Sequence, residues 1–408
     1  MGATITTMTA ALKKLYLPRI RSTMQTKTVL RSRLQSNTES TDSSGLSAIV
    51  PVNIRGNQAG IGARAEGGAL PTAGNQTYIE SKVSYAFNYG VISVSHPVIV
   101  SSKDDKGAWT RALSSEMTGL ERDFSQDMNR QDFGYGGAFL AICTAADDGA
   151  GLLYVNSTQY IKVGQVVVAF NALSGGTQHD GDMTVTAVNS ATTFTVSGAS
   201  TNVANADYIF RSGARTYEPM GIRGLCDDYA ITAGYGPLLQ TLQNIDRSTY
   251  PEFNSNVFEN ADVAREVTPT FLDDCLLIIE EKGECKVSLG ITSRIQFRKI
   301  ANLVIPDRRY TDSQTLEGGF KAINWSGVPI VWDKDCPIDP NGNDSLFFLD
   351  EDHIQRYKLA DMDWDDTDGN VLHRNAGYAT YDATLFLYGN LGTDRPNAHG
   401  WIRDLSRS

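Results

Sequence analysis

The sequence has few of the residues that build metal centres and disulfide frameworks. It contains five cysteines and five histidines in 408 residues, and no two cysteines form a C-x-x-C pair. An odd, scattered set of cysteines argues against a disulfide framework or a structural zinc site and favours folding in a reducing compartment. We therefore predict no metal ion in this protein.

Sequence signatures of enzymes and of membrane spans are also missing. There is no P-loop, no G-x-S-x-G elbow and no H-E-x-x-H motif, and no apolar run approaches eighteen residues. The segment GIGARA, at 60–65, matches G-x-G-x-x-A, but no helix opens there and no β-α-β unit surrounds it. We predict no catalytic residue, no cofactor and no membrane span.

Composition and charge are those of an ordinary folded chain. Hydrophobic residues make up 41% and charged residues 20% of the sequence, which allows a substantial core and two or three domains. The net charge of -11 argues against a protein whose main body binds nucleic acid.

The strongest local signal is a helix from Lys103 to about Asp132. Its apolar side chains recur every three or four residues, which indicates one buried stripe: Trp109, Leu113, Met117, Leu120, Phe124 and Met128. Glycines from Gly134 onward should end it. Some 25 residues predict a rod of roughly 38 Å. Charged residues between the apolar ones predict an exposed outer face: Arg111, Glu116, Glu121, Arg122, Asp123, Asp127 and Arg130.

The first 45 residues differ from the rest, because seven basic residues precede the first acid, Glu39. An extended arm that lies on a neighbouring surface is the preferred interpretation. An organelle transit peptide has a similar composition, and a solvated tail is a further alternative.

From Leu46 the pattern predicts β-structure. A short strand, SAIVPVNI, is followed by a Gly/Ala-rich loop of about twenty residues and by one long strand that begins at Thr77. Two strands that carry so long a loop bury little apolar surface by themselves, so we expect this hairpin to rest on something outside itself.

Beyond the long helix, residues 145–212 predict a separate small β-module. Four short strands rich in Val, Thr, Phe and Tyr are separated by turns at the spacing of a small barrel or sandwich. A sheet continuous with the parent domain is the alternative.

Further along, Thr268 and Pro269 predict a helix start, and alternating strands and helices predict an α/β lobe. The chain then returns to β-structure, with one long strand, around Tyr381–Tyr388, covered on both faces.

The most acidic patch is DMDWDDTDGN, at 361–370. It resembles a calcium loop at positions one, three and five, but Asp366 then stands where Gly is needed and Leu372 where the bidentate acid belongs. A hairpin turn at Asp368-Gly369 explains the segment better.

The carboxy-terminal half resembles the major capsid proteins of tailed bacteriophages. The resemblance rests on segments such as LEGGFKAINWSGVPIVWDKDCP and DMDWDDTDGNVLHRNAGYATYDATLFLYGNLG, together with PMGIRGLCDD and QNIDRSTYPEFN. It implies an α+β chain with the Hong Kong 97-like capsid fold, plus an inserted small all-β barrel or sandwich. The protein would then be a structural subunit and no enzyme.

The resemblance also implies a division of the chain. The expected parts are an N-terminal arm (1–45), an E-loop hairpin with its stem (46–97), a peripheral domain with the spine helix (98–144), the inserted β-domain (145–216), an axial domain with connecting segments (217–345) and the peripheral strands with the C-terminal segment (346–408). The hairpin tip has no lysine, and Lys82 lies on its stem, so we expect a shell without lysine crosslinks.

Self-assembly through hexamers and pentamers into an icosahedral head around double-stranded DNA is the implied function. Implied partners are copies of this chain, portal and scaffolding proteins and, as an open alternative, decoration proteins; DNA would be near but not specifically bound. The expected location is the virion capsid, assembled in the host bacterial cytoplasm. Predicted subunit contacts involve charged residues of the hairpin and the helix: Arg55, Arg64, Glu66, Arg111, Glu116, Arg122 and Asp127.

Two rival functions remain open from the sequence. One is a β-rich ligand-binding or adhesin-type protein with residues 145–212 as the binding module. The other is an enzyme whose active site is assembled only in three dimensions.

Overall fold

Five α-helices and three short 3-10 helices lie in the described part of the chain. The structure is a computed structural model that describes residues 28–37, 42–43, 47–97, 106–173, 175–197, 202–229, 239–304, 322–339, 341–366, 369–374 and 377–407, with side chains for all of these except 35–37, 42–43 and 106–114. The α-helices are α1 (Val29–Arg33), α2 (Lys106–Asp132), α3 (Ile222–Leu225), α4 (Pro269–Gly283) and α5 (Arg294–Val304).

Strands in the first half of the described chain belong to a hairpin, a long sheet and the predicted β-module. They are β1 (Gln35–Asn37), β2 (Asp42–Ser43), β3 (Ser47–Arg55), β4 (Thr77–Ser84), β5 (Ala86–Ser95), β6 (Phe139–Ile142), β7 (Leu152–Tyr154), β8 (Val166–Phe170), β9 (Met183–Val188), β10 (Thr193–Ser197) and β11 (Tyr208–Arg211).

Strands in the second half complete the long sheet and form a mixed one. They are β12 (Thr241–Leu242), β13 (Ile245–Asp246), β14 (Asn256–Phe258), β15 (Leu289–Thr292), β16 (Ile323–Trp325), β17 (Val328–Trp332), β18 (Asp344–Leu349), β19 (Ile354–Trp364), β20 (His373–Arg374), β21 (Thr380–Thr393) and β22 (Gly400–Leu405).

The long predicted helix is present as α2. It has 27 residues, about 40 Å at 1.5 Å per residue. Met117, Phe124 and Met128 are buried as predicted, and they pack against Trp364 and Leu385 of the sheet below. The helix ends just before Gly134, and Gly136 adopts a positive φ of 83°, which glycine reaches at little cost. The predicted cap at residues 104–105 lies outside the described residues.

The prediction of an exposed charged face on this helix is wrong for two residues of its second half. Glu121 and Arg130 are buried, because other segments of the chain cover the helix on that side. Arg130, for example, contacts Glu218, which lies 88 residues away in sequence. Exposed charge remains at Glu116 and Arg122.

The helix lies on a five-stranded sheet centred on β19 and β21. Strand β5 pairs with β21 over ten residues, from Ala86 opposite Gly389 to Ser95 opposite Thr380. Strand β1 adds to β19 in parallel, and β20 pairs with the start of β21. The prediction that this strand is covered on both faces is right for only one face of β21, which packs against α2. Its other face is partly open in the single chain, where Phe386 and Tyr388 are only half-buried.

The hairpin predicted after Leu46 is formed by β3 and β4, with β2 at its edge. Arg55 pairs with Thr77 at its far end, so residues 56–76 form the loop. The single long strand predicted from Thr77 is instead two strands, β4 and β5. The chain changes sheets at Tyr85, whose side chain is buried against Ala48, Val83 and Tyr357.

Residues 139–211 form a sheet of six strands in the order β6-β11-β8-β9-β10-β7. A bridge between Cys143 and Val155 joins its two ends, so the sheet closes around a core that includes Leu153, Phe194 and Ile209. The four predicted strands correspond to β8–β11. Strands β6 and β7 were not predicted, and because β6 begins at Phe139 the sheet starts before the predicted bound of residue 145.

The α/β lobe predicted around residues 262–345 contributes β15, β16 and β17 to a second six-stranded sheet, in the order β14-β22-β18-β15-β17-β16. The predicted bounds are too narrow, because β14, β22 and most of β18 lie outside them and pair into the same sheet. Thr268 caps α4 by accepting a hydrogen bond from the Phe271 amide, as predicted. One face of the sheet packs on α4 and α5. Its other face joins a larger core that contains Trp401 and Leu30.

The described part of the predicted arm is only partly extended, because α1 precedes the short strands β1 and β2. Helix α1 packs Val29 and Leu30 into the large core, and the Arg31 guanidinium forms two hydrogen bonds with buried Asp132, at 2.5 and 3.0 Å. Residues 1–27 lie outside the described residues.

Candidate functional site

The hairpin loop at 56–76 is the most exposed long segment of the described chain. Every side chain from Ile61 to Leu70 is exposed, and these two apolar residues are 76% and 86% exposed. Asn57 closes the base of the loop: its amide donates to the Gly74 carbonyl at 2.7 Å, and its side-chain oxygen accepts from the Gly60 amide at 2.8 Å. The loop is therefore shaped at its base and open to contacts at its tip.

Arg55 anchors the stem of this hairpin to the same chain. Its guanidinium donates to both carboxylate oxygens of Glu252, at 2.6 and 3.2 Å, and lies 5.4 Å from the centroid of the Tyr250 ring. The hydrogen bond and charge of Glu252 raise the pKa of Arg55. This predicted contact residue is therefore already paired within its own chain, in an ion pair that is about half exposed.

Arg64 and Glu66 lie at the exposed tip. Arg64 reaches only the carbonyl oxygen of Ala63, at 3.4 Å, and Glu66 forms no ion pair with any residue in the described ranges. Two opposite charges two residues apart, next to exposed apolar side chains, are available to a partner surface.

The charges predicted on helix α2 divide into two groups. Glu116 is exposed, and Arg122 makes only an exposed contact with neighbouring Asp123, at 3.4 Å. The Arg111 side chain lies outside the described side chains. The structure thus leaves Glu116 and Arg122 open to contacts.

Asp127 instead takes part in a network within the chain. Arg211 donates two hydrogen bonds to its carboxylate, both 2.7 Å long, and Arg130 donates a third at 3.1 Å. Burial alone would raise the pKa of Asp127, but the charges of Arg130 and Arg211 outweigh it and hold the pKa well below its usual range. Since Arg211 belongs to β11, this network attaches the closed sheet to the long helix.

Two further contacts fix the closed sheet to the rest of the chain. The Gln159 amide donates to the Lys334 carbonyl at 2.9 Å, and the Tyr160 hydroxyl donates to the Asp335 carbonyl at 3.3 Å. These contacts join segments that are 175 residues apart in sequence, so sequence reasoning could not identify them.

An aromatic surface on β5 and β21 was also not predicted. Phe87, Tyr89 and Val91 are exposed on the sheet face opposite α2. The rings of Phe87 and Tyr89 meet the Tyr388 ring edge to face, at centroid distances of 5.1 and 5.6 Å. The period-two alternation of apolar residues in the sequence was visible, but nothing in it showed which face would stay open.

Metal-ligand clusters and membrane-spanning helices are not found among the described residues. These residues contain no group of three or more His, Cys, Asp or Glu side chains suited to a metal. No helix found in the described ranges is both long and apolar enough to cross a bilayer. In the acidic segment the Gly369 amide donates to the Asp366 carbonyl at 2.7 Å, which is the geometry of a turn. All five cysteines are free thiols.

Comparisons with known proteins fit this architecture. No family model and no curated protein sequence matches the chain. Among solved structures, a chain of the cyanophage A-1(L) capsid superposes with a TM-score of 0.56 and 14% sequence identity, covering 93% of each chain. The chain has the fold of this capsid protein. The predicted α+β capsid fold is therefore confirmed at this level.

A chain from the capsid of an empty GTA particle covers 92% of this chain and 90% of its own, at 9% identity and a TM-score of 0.48.

Proposed function

We propose that this protein is the major capsid subunit of a tailed phage, a structural protein that self-assembles into the shell of the head. The observation that carries the proposal is the fold match to a phage capsid chain over 93% of both chains. The adhesin-type alternative is not favoured, because the match extends over almost the whole chain and is to a capsid structure.

Within this proposal the parts of the chain take the roles of a Hong Kong 97-like subunit. Residues 1–45 are the N-terminal arm, 46–97 the E-loop with its stem, 98–144 the peripheral domain with the spine helix, 145–216 an inserted β-domain, 217–345 the axial domain and 346–408 the remaining peripheral strands. Support comes from the length of α2, the projecting loop at 56–76 and the closed sheet at 139–211.

We further propose that the exposed predicted charges meet neighbouring subunits. Arg64 and Glu66 would contact the next subunit from the hairpin tip, and Glu116 and Arg122 from the helix; Arg111 stays a prediction. Arg55 and Asp127 would act indirectly, because their ion pairs hold the hairpin stem and the closed sheet in position.

The proposed partners are other copies of this chain in hexamers and pentamers, portal and scaffolding proteins, and decoration proteins in some arrangements. Assembly would take place in the host bacterial cytoplasm, and the product would be the virion capsid. A net charge of -11 limits non-specific adhesion to the packaged DNA, whose backbone is also negative.

Electron microscopy of the expressed full-length chain, with a scaffolding protein supplied, tests the proposal directly. Closed particles of uniform size are expected. If the chain forms only small discrete oligomers even when a scaffolding protein is supplied, the result would argue decisively against a shell protein.

Deletion of residues 57–74 tests the role of the hairpin. Because the loop buries little within its own chain, the variant should fold, as judged by circular dichroism and thermal unfolding, but fail to form particles. Normal particles from this variant would refute the E-loop assignment while leaving the capsid fold intact.

A further inference from the structure

A cavity of about 650 Å³ lies between the closed sheet and the α/β lobe. Phe139, Leu140 and Val155 of the closed sheet line one side, and Ile338 lines the other. Arg223 and Tyr135 also line it. Its volume is within the range of small-molecule sites, which are mostly apolar with a few fixed polar groups.

Arg223 is a buried cation without an anionic partner. Its residue is only 9% exposed, and its guanidinium lies 5.6 Å from the Tyr135 ring centroid and 5.7 Å from that of Trp401. It forms no ion pair with any described residue, and its Nε atom has no hydrogen-bond partner there. The Tyr135 hydroxyl is buried and also has no partner.

Other buried arginines of this chain are paired, which makes Arg223 an exception. Arg247 bonds to the Asp227 carboxylate at 2.8 Å, and both side chains are almost fully buried. Arg31 is paired with Asp132, and Arg130 with Glu218 and Asp127. Because an unpaired buried charge is strongly unfavourable, the site of Arg223 is incomplete in the isolated chain.

The acidic residues around the cavity are bonded to other groups. Glu218 is bonded to Arg130, Asp335 accepts from the Asn129 amide at 2.6 Å, and Asp339 accepts from the Asn343 amide at 2.7 Å. Asp227 and Asp339 both lie close enough to favour the charged form of Arg223, but neither forms an ion pair with it, and Asp227 is bonded to Arg247. Because none of these carboxylates is paired with Arg223, an added anion would supply the missing acceptor.

We propose that this cavity binds a small organic molecule through an oxyanion group, a carboxylate or a phosphate, held by Arg223 and the Tyr135 hydroxyl. A guanidinium presents a planar set of donors that matches either group. The apolar side chains opposite would contact the rest of the molecule. This site is independent of shell formation and goes beyond the proposed function.

Thermal unfolding and calorimetric titration of the full-length protein test the site, with inorganic phosphate and benzoate as separate probes. If phosphate binds, an oxyanion without an apolar part is sufficient for binding. If benzoate binds and phosphate does not, the apolar part of the ligand is required for binding. If neither probe binds at millimolar concentration, the proposal is overturned.

Variants decide whether Arg223 is responsible. Arg223→Met should weaken binding at least tenfold, and without ligand it should unfold at the same or a higher temperature than wild type, because an unpaired buried charge is removed. Should that variant fail to fold, Tyr135→Phe keeps the ring and should still weaken binding several-fold. Unchanged binding in either variant refutes the assignment.

Arg215→Met is the matched control. Arg215 also lies over aromatic rings, 3.8 Å from the Phe170 centroid and 4.9 Å from that of Phe210, but it donates to backbone carbonyls of Ala172 and Gly175 and does not line the cavity. This variant should bind both probes as wild type does.

Discussion

Asp127 is the residue that links the closed sheet most directly to the long helix. Its carboxylate accepts hydrogen bonds from Arg211 and Arg130, in a partly buried setting where charge-assisted hydrogen bonds are strong. Since its pKa is held below the unfolded value of about 3.9, the pair stabilises the folded state at all pH values above that. The stabilisation is lost only as the pH falls through the lowered folded-state pKa.

Replacement of Asp127 should therefore destabilise the subunit. Asp127→Asn is expected to lower the free energy of unfolding by about 3 kcal/mol, because Arg130 and Arg211 lose their shared counter-charge in a buried setting. Chemical denaturation at pH 7 measures this change. Asp123→Asn, which disrupts only the exposed contact with Arg122, should change it by less than about 1 kcal/mol, and equal losses would contradict the prediction.

His399 gives the fold a specific sensitivity to acid. The ring is fully buried, with one nitrogen 3.3 Å from the Asp350 amide and the other 3.2 Å from the Thr393 hydroxyl. Burial lowers its pKa to about 3, and the charge of His353 acts in the same direction. Below pH 6.5 the His399 imidazole is therefore protonated in the unfolded state, whereas in the folded state it stays neutral until the pH falls to about 3.

We expect this group to lower stability by about 1.4 kcal/mol per pH unit between pH 6.5 and 3. In His399→Gln the free energy of unfolding should fall less steeply with decreasing pH, by about 1.4 kcal/mol per pH unit. Denaturant unfolding at pH 7, 6, 5 and 4 measures this slope. Identical pH profiles for His399→Gln and wild type would contradict the account.

At the scale of elements, the hairpin loop combines a rigid stem with an exposed apolar tip. Isolated exposed apolar residues are common, but Ile61 and Leu70 lie on one projecting loop whose base is anchored by Arg55. Under the proposed function, a neighbouring subunit would cover these two side chains.

The double variant Ile61→Ser and Leu70→Ser should keep the unfolding temperature of the free subunit within a few degrees. Its particle yield, measured by sedimentation and electron microscopy, should fall severalfold, because the contacts with the neighbour lose about 25 cal/mol for each Å² of apolar area. Gln58→Ser, on the same loop, should assemble normally. Full yield from the double variant would contradict the prediction.

Sequence reasoning succeeded for elements with strong local signals. The period of Met117, Phe124 and Met128 predicted α2, and Thr268 with Pro269 predicted the start of α4. It failed where distant segments decide the outcome. The charge of Arg130 indicated exposure, but Glu218 and the closed sheet bury it, and the bend at Tyr85 depends on packing against Tyr357. The open aromatic face and the Arg223 cavity are likewise products of long-range packing.

At the scale of the whole molecule, charge opposes association. Each subunit carries a net charge of -11, so copies repel one another at low ionic strength. Sodium chloride shortens the screening length from about 30 Å at 0.01 M to about 8 Å at 0.15 M.

Assembly should therefore accelerate over this range of salt, as followed by light scattering at fixed protein concentration. The free energy of unfolding of the free subunit should change much less, because its main ion pairs are buried. Slower assembly with added salt would mean that attractive ion pairs between subunits outweigh the general repulsion.

The packing of α1 and β1 determines when the subunit can finish folding. Arg33 is bonded to Glu351, 318 residues further along the chain, and β1 pairs with β19. At roughly 5–20 residues per second of synthesis, Glu351 is added to the chain on the order of 16–64 seconds after Arg33. During synthesis, α1 and β1 can therefore take their final positions only after Glu351 and β19 have left the ribosome.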